Sequence, residues 1–278
     1  MRLATWNVNS LAARMPRVVE WLADKRPDIL CLQETKLADS AFPHAELGEL
    51  GYTAAVHGTG QWNGVAIVSA VGIAEARRGF DGEPGFPEPE ARALAATCGG
   101  VRVWSLYVPN GRTVDSPHFA YKLAWLAALR DAVAADASVS PAMAVCGDFN
   151  VAPADVDVWD PSAFVDSTHV TPLERAAVAS LVDIGFVDIE ARALKGDRPF
   201  TYWDYRAGNF HKGLGMRIDL VLLSTALATN VSDAYVDRDA RKGKLPSDHA
   251  PVVVDIDVVE PGSQAVPTGV QSGAAAVL

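Results

Sequence analysis

The chain has 278 residues, of which 49% are hydrophobic and 21% charged, with a formal net charge of −10. That is enough apolar chain for a large core in one or two domains, and no apolar run approaches the roughly 20 residues of a helical membrane span. The acidic balance argues against a polyanionic partner, but residues 192–244 hold ten Lys/Arg against six Asp/Glu, so a basic surface able to meet phosphates is not excluded.

The sequence begins with a strand-like stretch, Met1-Arg2-Leu3-Ala4-Thr5-Trp6-Asn7, with no basic-then-apolar leader, so export is not expected. Leu11, Met15, Val18 and Leu22 then fall at helical spacing, and Pro27 closes that helix. Asp28-Ile29-Leu30-Cys31-Leu32-Gln33-Glu34 reads as a buried strand ending in a carboxylate. Strands are predicted near 52–57 and 64–69, and 79–90 interleaves Gly and Pro as an exposed loop. Another apolar strand covers 101–108, and an Ala/Leu helix over 118–135 presents Tyr121, Trp125 and Leu129 on one face.

Pro141-Ala142-Met143-Ala144-Val145-Cys146-Gly147-Asp148-Phe149-Asn150 is a buried strand that ends in polar residues. Period-two alternation places Asp148 and Asn150 on one face at the strand's carboxyl end, the usual edge for ligands in α/β sheets. Thr171-Pro172-Leu173-Glu174 carries an N-cap, a first-turn proline and a capping-box glutamate. Further strands are predicted near 187–190, 200–203, 217–224, 231–236 and 251–258. Strands outnumber helices and several are joined only by turns, which favours two mixed β-sheets packed face to face with helices outside. One domain over 1–260 and a disordered tail over 261–278 are expected. Cys31, Cys98 and Cys146 are too far apart in sequence for a disulfide framework or zinc site and suit a reducing compartment.

Eight polar residues cluster at or near strand ends: Asn7, Glu34, Tyr107, Asp148, Asn150, Asp219, Asp248 and His249. Singly, each has a bland explanation as a solvated strand end or a structural histidine. Glu34 ends a buried strand, where an unpaired charge is costly, so it is the first candidate to hold magnesium; Asp248 is the second, with Asn7 and Asn9 offering neutral oxygens. Asp219 lies inside an apolar run and needs a partner, which His249 would supply as an imidazolium. That cation would stabilise charge on a phosphoryl oxygen, Asp148 would be the base or align water, and Tyr107 and Asn150 would bond phosphate oxygens.

These residues stand in motifs that resemble a known family. Thr5-Trp6-Asn7-Val8-Asn9, Leu32-Gln33-Glu34-Thr35-Lys36, Tyr107-Val108-Pro109-Asn110-Gly111, Gly147-Asp148-Phe149-Asn150, Arg217-Ile218-Asp219-Leu220 and Ser247-Asp248-His249-Ala250-Pro251 appear in the family's order. Over about 1–258 the chain is similar to the exonuclease III class of AP endonucleases, within the endonuclease/exonuclease/phosphatase superfamily. Gly-Asp-Phe-Asn and Ser-Asp-His are shared with relatives that cut other phosphoesters. Leu-Gln-Glu-Thr-Lys, Phe200-Thr201-Tyr202-Trp203-Asp204-Tyr205-Arg206 and Arg-Ile-Asp-Leu resemble the DNA-repair branch.

The resemblance implies a four-layer α/β sandwich and a magnesium-dependent cut 5′ to abasic sites in double-stranded DNA, with Mn2+ a possible substitute. It also implies 3′→5′ exonuclease and 3′-phosphatase activity at DNA 3′ ends; from the residues themselves a cytoplasmic location is expected, and nothing in them demands more than a monomer. By analogy Glu34 ligates metal with support from Asn7 and Asp248, and Asp148 prepares the nucleophile. Asp219 pairs with His249, and Tyr107, Asn110 and Asn150 contact phosphate. Tyr202, Met216 and Ile218 would wall the pocket for the flipped sugar, with Trp203 as wall or support. Arg206 would enter the groove, and Arg238, Arg241, Lys242 and Lys244 would reach the backbone. Asn9 stands where some relatives carry Asp, which would weaken any second metal site. Two rival readings are a small-phosphoester hydrolase, opposed by the aromatic segment, and a non-catalytic DNA binder, opposed by the presence of all eight polar residues.

Overall fold

The computed structural model describes residues 1–257, and the tail expected at 261–278 lies outside the described residues. Within them the strands are β1 (Arg2–Asn7), β2 (Ile29–Gln33), β3 (Thr53–His57), β4 (Val65–Ser69), β5 (Ala74–Arg78), β6 (Ala93–Cys98) and β7 (Val101–Tyr107). The series continues with β8 (Met143–Asp148), β9 (Phe186–Asp188), β10 (Arg192–Ala193), β11 (Asp219–Ser224), β12 (Val231–Val236) and β13 (Val252–Ile256). One sheet has the order β10-β12-β13-β1-β2-β4-β3 and the other β5-β6-β7-β8-β11-β9. Both are mixed: β1 runs parallel to β2 and antiparallel to β13, while β8 runs parallel to β7 and antiparallel to β11.

Alternation along each strand builds the layers. Leu3 on β1 and Ile29 and Cys31 on β2 pack between the sheets against Val103, Ala144, Cys146 and Val221. The neighbouring Ala4, Trp6, Leu30 and Leu32 face the other way, onto Val18, Trp21 and Leu22 of helix α1 (Leu11–Lys25). After a short helix, α2 (His44–Glu49), the long helix α3 (Pro117–Ala137) covers the outer face of the second sheet. Its Tyr121, Trp125 and Leu129 meet Trp104, Leu106 and Val145, and each large buried side chain contributes roughly 1.5–3 kcal/mol of hydrophobic stabilisation. Helix α4 (Pro172–Asp183) adds Val178 and Leu181, and its start forms the expected capping box between Thr171 and Glu174. The expected four-layer arrangement is thus the one observed.

Two local expectations differ. Residues 200–203 do not form a strand; Tyr202 makes isolated bridges to Met216 and His249 instead. The Thr201 and Tyr202 amides both donate to the Met216 carbonyl and the Trp203 amide to the Asp248 carbonyl, so the segment is wedged between two loops. Its aromatic alternation reflects that two-sided wedge rather than a ladder. Conversely β5, exposed at every position, carries no apolar alternation that would reveal it in sequence.

Candidate active site

The strand register carries the polar residues to one end of the sandwich. In the second sheet Asp148 lies opposite Tyr107 across the parallel β7–β8 pair and opposite Asp219 across the antiparallel β8–β11 pair. In the first sheet Asn7 closes β1 opposite Gln33, which puts Glu34 one residue beyond the end of β2. Gly147 is required beside Asp148: with φ of 146°, a Cβ there would sit 2.0 Å from the Leu106 carbonyl oxygen.

Asn7 joins the two rows. Its Nδ2 donates to Glu34 Oε1 at 2.8 Å and to Asp148 Oδ2 at 2.9 Å. The second carboxylate oxygen of Asp148 accepts the Asn150 amide at 2.9 Å. His249 Nδ1 lies 2.8 Å from Asp219 Oδ2, and its Nε2 lies 3.8 Å from Asp148 Oδ2, within strong electrostatic range without a hydrogen bond. The Ser247 hydroxyl donates to the Asn7 carbonyl at 2.6 Å and Trp6 Nε1 donates to the His249 carbonyl at 3.2 Å, so the histidine loop is tied to β1.

The electrostatics follow from burial among charges. Burial pushes the Asp148 carboxyl up to about 7 against the pull of the His249 cation, with Asp219 and Glu34 adding to the rise. Burial alone would lower His249, but Asp219 and Asp148 outweigh it and raise it to about 10. Glu34 shows the opposite balance: burial raises it, yet the Asn7 hydrogen bond and Lys36, whose Nζ is 2.9 Å from Oε2, hold it below the usual carboxylate range. Tyr107, partly buried beside Glu34 and Asp148, is pushed well up by desolvation and those two carboxylates and keeps its proton. The Arg92 guanidinium lies over its ring at 4.9 Å.

Glu34, Asp148 and His249 each present a ligand atom within 4.8 Å of the others. With His249 held as the imidazolium on Asp219, neither ring nitrogen has a lone pair for a metal, and the remaining donors of this cluster are hard carboxylate oxygens, a set that fits magnesium or manganese better than zinc. Asn7 presents its nitrogen to both carboxylates and accepts the Asn9 amide on Oδ1 at 2.9 Å, so in this arrangement it clamps Glu34 instead of offering an oxygen. Asp248 stands apart from the cluster, accepting Asn9 Nδ2 at 3.0 Å. Lys36 Nζ reaches Asn9 Oδ1 at 2.6 Å, so an ammonium already sits between Glu34 and Asn9.

Asn150 departs from the expected shared face. β8 ends at Asp148, and Asn150 turns away with φ of 50°. Its Nδ2 donates to the Val108 carbonyl at 3.0 Å and its Oδ1 accepts Asn110 Nδ2 at 3.1 Å. The two asparagines therefore stand as a bonded pair just past the ends of β7 and β8.

Beside His249 opens a cleft of about 480 Å3 lined by Tyr202, Met216, His169, Trp159, Phe164 and Arg206. The Tyr202 ring packs on His249 with centroids 4.9 Å apart, so the cleft adjoins the catalytic row. Ile218 is not on the wall; it is buried behind Met216 with Ala152 and Val158. Trp203, only 2% exposed, packs in the inter-sheet core and does not line this cleft. Arg206 is 87% exposed at its side chain and paired with Asp204 at 2.5 Å. The expected basic cluster divides: Arg241 is buried under Trp203 and Phe210 and bonds the Ser247 and Trp203 carbonyls, so it supports the His249 loop and cannot reach a DNA backbone.

Sequence reasoning missed His169 and Lys36 as site residues. His169 has no motif signal: it sits mid-loop with φ of 81°, its Nδ1 2.7 Å from the Asn150 carbonyl. Lys36 was visible only as the last letter of Leu-Gln-Glu-Thr-Lys.

Comparison with known proteins agrees with this geometry. The endonuclease/exonuclease/phosphatase family matches residues 4–249. An exodeoxyribonuclease III of Haemophilus influenzae is 32% identical over 267 residues, covering 91% of this chain and 98% of the relative. A solved Neisseria 3′ phosphatase bound to a product DNA hairpin is 40% identical with a TM-score of 0.89, covering 93% of this chain and all of that one. An AP endonuclease from Archaeoglobus fulgidus is 36% identical with a TM-score of 0.87 and the same coverage. The chain belongs to the endonuclease/exonuclease/phosphatase family, in its exonuclease III-type branch.

Proposed function

We propose that this protein is a magnesium-dependent DNA-repair phosphoesterase that hydrolyses phosphoesters at 3′ ends and on the 5′ side of abasic sites in duplex DNA. The observation that carries the reading is the row Asp148–His249–Asp219 facing Glu34, a base and a buried cation on one side and an anionic ligand on the other. Above about pH 7 Asp148 is ionised and takes the proton of the attacking water, its two oxygens aimed by Asn7 and the Asn150 amide. His249, held as the imidazolium by Asp219, stabilises the charge that grows on the phosphoryl oxygens. Tyr107 and Asn110 serve as neutral hydrogen-bond partners for the phosphate, and Tyr202 and Met216 receive the sugar. Glu34, with Asp248 in support, would hold magnesium or, as a substitute, manganese, and the bound ion would supply Lewis-acid polarisation of the phosphoester.

The catalytic domain spans 1–260 and acts as a monomer in the cytoplasm in this reading. No helix of the described residues is long and apolar enough to cross a membrane.

A second reading confines the enzyme to 3′ ends. It is favoured by the 40–41% identity to Neisseria proteins described as a 3′ phosphatase and a 3′–5′ exonuclease. Turnover of a 3′-phosphate end is measured beside that of an internal abasic analogue in the same duplex. Comparable cleavage of both supports the broader reading, and 3′-phosphate release alone selects the second.

A further inference from the structure

Lys122 and Glu174 are both fully buried, and the ammonium meets the carboxylate at 2.5 Å. A buried pair of this kind is a poor source of stability, because removing two charges from water offsets most of their attraction. Its placement is informative. Lys122 Nζ also donates to the main-chain carbonyls of Asn150 at 2.7 Å and Asn110 at 3.2 Å. These are the turns that carry the bonded asparagine pair. Glu174 Oε1 accepts the Thr168 hydroxyl at 2.7 Å and the His169 amide at 2.9 Å, and Oε2 accepts the Thr171 amide and hydroxyl. The Asn150 carbonyl receives His169 Nδ1 as well, at 2.7 Å. Packing leaves no slack: a Cβ on Gly111 would fall 2.8 Å from Thr168 Oγ1 and 3.1 Å from Lys122 Cδ.

We propose that the Lys122–Glu174 pair is a positioning device for the phosphate side of the active site. The ammonium fixes the turns presenting Asn110 and Asn150, and the carboxylate fixes the loop presenting His169. This rests on the reading that Asn110 faces the phosphate, with Asn150 bonded to it as support. The pair touches no reacting atom, and it acts through the three loops it joins. Backbone carbonyls at two left-handed turns need a donor, and one cation supplies both from a rigid helix. The same ammonium helps keep His169 neutral: burial lowers that imidazole first, Lys122 adds to it, and it titrates at about 4.

The test removes both charges in Lys122→Met/Glu174→Gln, since Lys122→Met alone would strand a buried carboxylate. Hydrogen exchange reads the device without catalysis. Amides of residues 110–112, 150–152 and 168–170 should exchange at least tenfold faster, with β7 and β8 unchanged. On the DNA substrate the wild type cuts, kcat should fall about tenfold or more with KM nearly unchanged and the melting temperature close to wild type. Unchanged protection in the three loops, or a kcat that recovers with the melting temperature, overturns the inference. Thr168→Val, which keeps both charges, removes bonds to Glu174 and to the Asn110 carbonyl and should loosen 168–170 and 110–112 but not 150–152; it serves should the double variant not fold, and unchanged exchange at 168–170 equally overturns the inference. A wild-type protein inert on DNA would refute the proposed function, while the exchange result would still support or overturn the device.

Discussion

At the scale of single residues, Asp148 and His249 make opposite demands on pH. Asp148 must be ionised to accept a proton, so kcat should fall about tenfold per pH unit below about 7. His249 must be protonated, so activity should also fall as pH rises past about 10. Asp219 is what lifts His249 against burial, and Asp219→Asn should therefore draw the alkaline limb to lower pH. A pH–rate profile with that limb unmoved would detach Asp219 from the role given it. Asp148→Asn keeps the shape and removes the base; kcat should drop at least ~10²–10⁴-fold while DNA affinity stays within severalfold. Among these residues, Glu34, Asp148 and Asp219 are legible because each is a charge at or in an apolar strand, where only a partner makes it tolerable, and His249 follows as the partner Asp219 needs. The placement of Asn150 and Ile218 is not legible, since a turn at φ of 50° and the facing of a wedge are set by tertiary contacts.

At the scale of elements, the site depends on loops anchored by buried ion pairs. Arg217, just before β11, donates to Asp157 at 2.7 Å and to Asp188 at 2.8 Å, joining the 155–158 loop to β9 behind the sugar cleft. Arg217→Met strands two mostly buried carboxylates, and urea unfolding should show a loss of about 3–5 kcal/mol. A loss under about 1 kcal/mol would mean that water already reaches the pair. The central strands and α3 could be read from apolar runs and helical stripes, and the Thr171 cap from its letters. β5 and the true form of residues 200–203 could not, because an exposed edge strand and a two-sided wedge leave no periodic signature. The Lys122–Glu174 pair was equally hidden: Glu174 was read only as a capping residue, and Lys122 as one polar letter on an Ala/Leu helix.

At the scale of the molecule, two sheets with facing ends bring Glu34 and the Asp148–His249 row together beside one cleft, the first proposed to hold metal and the second to transfer the proton. Neither sheet alone carries both Glu34 and Asp148, so the packing of the sandwich is itself part of the catalyst. The basic excess over 192–244 is less available than its letters imply, because Arg217 and Arg241 are spent inside the fold. The central claim is that this cleft hydrolyses DNA phosphoesters with a metal held at Glu34 and Asp148 as base. Its most direct test is one duplex bearing a 3′-phosphate and, on the other strand, an abasic analogue, incubated with wild type or Asp148→Asn in magnesium or EDTA. The account predicts hydrolysis by the wild type in magnesium, and loss of it both in EDTA and in the variant. An intact duplex under every condition, or equal cleavage with EDTA or by Asp148→Asn, would contradict it.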